Sequence, residues 1–285
     1  MSNTFWTNTI WYIALFATSV SALAIVFIKT TGRKKAFAFF FAVLGLAYWM
    51  EVLLVLFLHA YAYMPMITED IFFDTVLGNI FSQVSVSSSA VLICTLGLSN
   101  WWLLGFSAAY FLIDLLFSSL GIYVHHWYRS VYTLAGFFIF GSIVKYWYNT
   151  FYRSPSKKLS YVTLFLSAFA ITSNLLGTAL RFFAIRIFQA GLFPDPSRDH
   201  TATTLIYMPV LVMISMALSR RKTPWFWKGS VFLLLFICQY GLVQSGIMIV
   251  RPGWQVIVLL LDLAVFYSVT VVMDTWLDTG NTAFP

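Results

Sequence analysis

Residues 46–61 read LAYWMEVLLVLFLHAY. Most of them belong to a longer apolar run, 36–58, and about 20 such residues suffice for a helix to cross a ~30 Å hydrocarbon core. One carboxylate, Glu51, sits inside the run. The run makes this a membrane protein; the carboxylate asks what it does there.

Eight further runs have the same character: 8–28, 76–98, 101–122, 131–152, 159–182, 201–219, 229–249 and 254–276. The chain of 285 residues is 60% hydrophobic and 9% charged. A soluble domain carries about 25% charged residues, so these charges are too few to cover a water-facing surface. The 29 Phe, 15 Tyr and 11 Trp suit a bilayer and its interfaces. The fold class that follows is an all-α polytopic transmembrane bundle of about nine spans. SALA at 21–24 resembles a signal-cleavage pattern, but no basic residue precedes Lys29, so the first run reads as a retained helix.

The net charge of +7 follows topology rather than nucleic acid. One set of loops holds eleven basic residues: Lys29, Arg33, Lys34, Lys35, Arg153, Lys157, Lys158, Arg220, Arg221, Lys222 and Lys228. The opposite set holds three, Arg129, Arg198 and Arg251, or five with Arg181 and Arg186. Cytoplasmic loops are enriched in Lys and Arg, which places the N-terminus outside and the C-terminus inside the cell membrane. Arg181, Arg186 and Gln189 read as an amphipathic tail of the sixth helix. The loop 59–75, ending in TEDIFFD, reads as a short interfacial helix.

An internal repeat organises the chain. RKKAFAFFF at 33 is answered by SKKLSYVTL at 156, Asp74 by Asp199, and DLLFSSLGIY at 114 by QYGLVQSGIM at 239. The expected domains are a leading helix with its basic loop (1–35), two four-helix repeats (36–152 and 159–276) and a cytoplasmic tail (277–285). Four spans return the chain to the same side, so the repeats are expected to be parallel.

The repeat pairs Glu51 with Asn174, counted from the basic motifs, and Asp114 with Gln239. With Asp262 these residues lie at similar depth, roughly 10–15 Å below the outer surface at 1.5 Å rise per residue. A carboxylate at a helix centre costs about 2.5–3.5 kcal/mol, so the three acids are expected to face the bundle interior as one polar cluster. Two carboxyls held close cannot both ionise cheaply. Arg181 is the nearest expected cation. The plainer reading of Asn174 and Gln239 is helix–helix glue, at ~0.6 kcal/mol each; the three acids together point to a pocket or a proton-linked site.

His125 and His126 are the only candidates for a metal, and as neighbours with no third ligand nearby in sequence they read better as a solvated loop. Asn79, Gln83 and SVSSSA at 85–90 make a small polar stripe suited to close helix packing, or to lining a pore. Cys94 and Cys238 form no metal or disulfide motif, and no nucleotide, zinc-protease or esterase signature occurs, so no cofactor is expected.

YWMEV, DTVLGNIFSQV and LGIYVHHWY resemble a family of small multi-spanning membrane proteins of spore-forming Gram-positive bacteria. The second half follows more loosely through LFPDPSRDHT. The resemblance implies a cell-membrane location and a Gram-positive source, and it transfers no activity.

Three functions remain open at this point. The first is a transporter-like or channel-like protein with a proton- or cation-linked polar site between the repeats, whose partners are the lipid bilayer and a small molecule or ion. The second is an intramembrane enzyme acting on a lipid or isoprenoid, with a buried carboxylic acid as general acid. The third is a membrane scaffold or partner subunit whose polar layer fixes helix register.

Overall fold

The computed structural model describes residues 4–153, 156–220 and 224–277. Arg221 and Lys222 of the third basic loop, residues 278–285 of the tail, and the terminal residues Ser2 and Ala283 lie outside the described residues.

Nine long helices occur among the described residues. They are α1 (Phe5–Lys29), α2 (Arg33–Phe57), α3 (Ile71–Thr95), α4 (Asn100–Ser119), α5 (Ser130–Arg153), α6 (Lys157–Phe182), α7 (Pro196–Arg220), α8 (Trp225–Gln244) and α9 (Gln255–Leu277). All except α5 are long and apolar enough to cross a membrane. Eight of the nine expected spans meet these criteria. Helix α5 has 24 residues, but Lys145, Asn149 and its Tyr/Trp-rich end lower its apolarity. Large apolar side chains stand exposed, Leu233, Leu234 and Ile237 on α8 among them. Such a surface suits acyl chains and not water.

The chain divides into two compact units, Met1–Ser160 and Tyr161–Pro285. In the first, α3 packs against α1, α2, α4 and α5. Its small residues Ser85, Ser87, Ser88 and Ser89 are buried and let neighbours approach closely. The Ser85 and Ser89 hydroxyls also bond the Tyr110 hydroxyl, at 2.8 and 2.9 Å. At Gly78 the fit is tightest: a Cβ there would lie 2.5 Å from Tyr63 Cβ.

Short strands close each unit. β1 (Tyr61–Tyr63) pairs antiparallel with β2 (Tyr123–His125), and β3 (Arg186–Phe188) with β4 (Met248–Val250). Two expectations are corrected here. No interfacial helix precedes α3; residues 61–63 are strand. The sixth helix has no amphipathic tail; it stops at Phe182, and Arg186 is a buried strand residue. The physical reason is shared. Once the chain leaves the helix, its N–H and C=O groups still need partners away from water. Three extended residues facing three others supply them, and so short a pattern shows no periodicity in a sequence.

Several local features of the first unit recur 125 residues later. The strands do so, at 61 and 186 and at 123 and 248. So do the left-handed residues His59 and Ala184, Met66 and Gly191, Gly121 and Gly246. Asp74 accepts the backbone N–H groups of Met66, Ile67 and Thr68 at 2.8–3.0 Å. Asp199 accepts those of Gly191, Leu192 and Phe193 at 2.6–3.3 Å. The basic motifs that open α2 and α6 stand only 123 apart. Between them and the strands each helix contains a π-helical stretch, five residues long at Leu53–Phe57 and seven at Ser173–Ala179. Extra residues inserted into a helix in this way shift its register.

Candidate functional site

Helices α2, α3 and α4, the strand pair β1–β2 and the first turns of α5 carry the polar groups of the first unit. They surround a cavity of about 170 Å3 lined by Glu51, Asp114, Gln83, Ser82, Thr133 and six tyrosines, with Phe117 and Phe137 beside them. Glu51 and Asp114 therefore face one space, as expected. Neither Lys nor Arg occurs among the described residues lining it.

Local structure fixes each group. Glu51 precedes the π-helical turn of α2, and the Tyr61 hydroxyl donates to its Oε2 from β1. Tyr63, two residues along the strand, shares the face of Tyr61 and donates to Ser82 Oγ at 3.1 Å. On the other side, Asp114 Oδ2 accepts from the Thr133 hydroxyl at 2.5 Å. Thr133 lies 3.2 Å from the Tyr128 hydroxyl. His125 Nε2, at the end of β2, is 3.2 Å from Asp114 Oδ1. Stacked and edge-on tyrosine rings join the two acids: Tyr61 meets Tyr128 at 4.9 Å and Tyr123 at 5.1 Å, and Tyr63 meets Tyr123 at 4.7 Å. Burial pushes the Tyr61, Tyr63 and Tyr123 phenols well above their ordinary range, and that of Tyr128 to about 12. They present O–H groups and π faces, not phenolates.

Gln83 is 2% exposed, and its Oε1 has no hydrogen-bond partner. A buried acceptor left empty costs about 1–3 kcal/mol. The polar atoms facing the cavity are thus rich in acceptors: two carboxylates and an amide oxygen.

The second unit solves its own charge differently. Asp262, fully buried on α9, is ion-paired with fully buried Arg186 of β3. Asp262 Oδ2 also accepts the Tyr207 hydroxyl at 2.8 Å, and Tyr207 accepts from Gln239 Nε2 at 2.8 Å. Arg186 donates to Leu176 O as well. Its guanidinium lies over the Phe188 ring, 5.0 Å from the centroid, and near the Tyr207 ring at 5.7 Å. His200 fixes the strand, its Nδ1 accepting the Phe188 N–H at 3.0 Å.

The expected single cluster thus divides by unit: Glu51 and Asp114 in the first, Gln239 and Asp262 in the second. Asn174 belongs to neither set, since its Nδ2 turns back on Ala170 O of its own helix at 2.8 Å. The 125-residue spacing puts Leu176, not Asn174, at the place of Glu51. Arg181 donates to Ser197 Oγ at 2.8 Å, and the cation that balances a carboxylate is Arg186. Counting 125 onward from Tyr61 reaches Arg186, which was the available signal. His125 contacts Asp114, while His126 stacks on His59 with ring centroids 4.0 Å apart. No group of three or more His, Cys, Asp or Glu that could hold a metal occurs among the described residues.

No family model matches the sequence, and no curated protein or solved structure matches it.

Proposed function

We propose that this chain is a transporter-like protein of the cell membrane whose first unit carries a cation site, with Glu51 and Asp114 as the charged groups. One observation carries the reading. Two acids face a cavity with no Lys or Arg among its described lining residues, whereas Asp262, buried in the second unit, has its own arginine. Taking a carboxylate out of water costs several kcal/mol unless a countercharge is supplied. The second unit supplies it from its own chain. Among the described residues, the first offers Asp114 only His125 and a threonine hydroxyl, and Glu51 only a tyrosine hydroxyl, which leaves room for a proton or a guest cation, as a coupling site needs.

The fold in which this site sits is, in this reading, a duplication. Two four-helix repeats, parallel about an axis along the membrane normal, follow one leading helix, and all nine helices cross. The recurrence of strands, left-handed residues and capping acids at 125 residues supports it. The eleven-to-three bias of basic residues supports an external N-terminus and an internal C-terminus. Cysteine labelling at Ser2 and Ala283 tests this: reaction of both from the same side of sealed vesicles would remove the nine-span topology.

A structural role, by contrast, suits the second unit, where Arg186, Asp262, Tyr207 and Gln239 form a set joined within itself.

Proteoliposomes loaded with a pH-sensitive dye test the function. Addition of permeant-free cations to the wild type should move protons, and Glu51→Gln or Asp114→Asn should stop it. Exchange that persists in both variants would overturn the assignment of the site.

A further inference from the structure

We infer that the cavity of the first unit takes a small organic cation, one bearing a guanidinium or alkylammonium group, held over tyrosine faces between Glu51 and Asp114. This rests on the cation reading of the same cavity and gives the guest a chemical class. Four independent features of the cavity converge on it.

Size is the first. A space of about 170 Å3 is comparable to a ~150 Å3 cavity that holds a benzene ring. A proton or a bare alkali ion would occupy little of it and leave the rest to water, whereas a larger guest would make contact with the walls.

The walls are the second. Tyr61, Tyr63, Tyr123 and Tyr128 form a continuous aromatic surface, with Phe117 and Phe137 also in the lining. Aromatic faces attract ammonium and guanidinium groups by about 0.5–2 kcal/mol each when desolvated. Rings give nothing to a strongly hydrated metal ion that demands oxygen ligands, and the described residues hold no metal-ligating group of three.

Polarity is the third. Glu51, Asp114 and the unpartnered Gln83 Oε1 accept hydrogen bonds. A guest with several N–H donors satisfies them together, and guanidinium offers the most in a fixed plane.

The fourth is a precedent inside the same chain. Arg186 stands 125 residues after Tyr61, and its guanidinium is held by a carboxylate, by Leu176 O and by the rings of Phe188 and Tyr207. Leu176, Phe188 and Tyr207 stand 125 residues after Glu51, Tyr63 and Ser82. The framework that in the second unit encloses a tethered guanidinium encloses, in the first, an acidic cavity with aromatic walls.

The test is equilibrium binding to the purified full-length chain in detergent, by calorimetry and by protection against thermal unfolding. The probes are guanidinium, methylguanidinium and tetramethylammonium at millimolar concentration, against urea and tert-butanol as neutral counterparts of similar shape and against sodium and potassium at equal ionic strength. The organic cations should bind about tenfold or more tighter than sodium or potassium. The neutral counterparts should not compete. Glu51→Gln, Asp114→Asn and Gln83→Met should each weaken binding, while Tyr61→Phe, which keeps the ring, should weaken it least. The comparison among probes uses the wild type, so it stands even where a variant fails to fold. Organic cations no better than potassium, with proton movement still sensitive to Glu51→Gln, would overturn this inference and leave the cation site in place. Neutral counterparts binding as well as the cations would mean a merely apolar pocket and overturn it too. Indifference of both binding and proton movement to the acids would remove both readings.

Discussion

The two units place the same elements at the same spacing and fill the space between them with opposite chemistry. At 61 the first has a tyrosine that donates to an acid; at 186 the second has an arginine paired with one. At 114 stands a carboxylate, at 239 an amide. Around Asp114 and Glu51 a cavity remains, while the guanidinium of Arg186 reaches across to Asp262 and Leu176. The acids that cap loops, Asp74 and Asp199, do the same work in both. The framework is shared where backbone groups need partners, and it diverges where a side chain faces the interior. One unit pairs its buried interior acid with its own arginine; the other meets its two acids with hydroxyls and His125.

The sharpest way to break this comparison is to remove the internal cation. Arg186→Met leaves Asp262 buried without its countercharge and should cost about 3–5 kcal/mol, whereas removing both partners together (Arg186→Met with Asp262→Leu) should recover much of that loss. Denaturant or thermal unfolding in detergent measures both. If the single substitution is as mild as the double, the second unit is not held by its ion pair.

The shared framework predicts equal losses next. Asp74→Ala and Asp199→Ala each strip an acceptor from three backbone N–H groups. Each should cost about 2–3 kcal/mol, since donors bonded to a charged acceptor are left without it. A large cost at one and none at the other would argue that the loops are similar in outline only.

Smaller effects belong to the first unit. Tyr61→Phe removes one hydroxyl from Glu51 and should lower stability by about 1 kcal/mol while keeping the ring of the cavity wall. Glu51→Gln should change stability least, by less than about 1 kcal/mol, because an amide of the same shape stays hydrogen-bonded and no buried charge remains. Proton movement should nonetheless be lost. Wild-type unfolding beside wild-type transport, each against Glu51→Gln, reads the contrast directly: a site that matters to the fold moves the first, a site that matters to function moves the second.

The sequence made part of this legible. Glu51 and Asp114 could be read as inward-facing because lipid penalises a carboxylate wherever it sits on a helix. Asp74 and Asp199 declared themselves through their spacing. Arg186 did not, because an arginine just beyond an apolar run looks like a residue reaching for the interface. The tyrosines of YAY at 61–63 and of YVHHWY at 123–128 carry no sign of their role in the sequence, since tyrosine is common wherever a chain meets the membrane interface. Asn174 was matched to Glu51 from the helix starts, and the π-helical stretches that shift the count leave no mark in composition.

Hydropathy, loop charge and the cost of buried acids therefore came from the sequence alone, since each depends on residue type and on distance along a single helix. Which acid meets which partner came only from the tertiary structure. Tyr61 is drawn toward Glu51, and Arg186 toward Asp262, by three-residue ladders that pair segments about 62 positions apart, and backbone hydrogen bonds of that range carry no side-chain signature. The same ladders decide that one unit encloses a cavity while the other encloses an arginine.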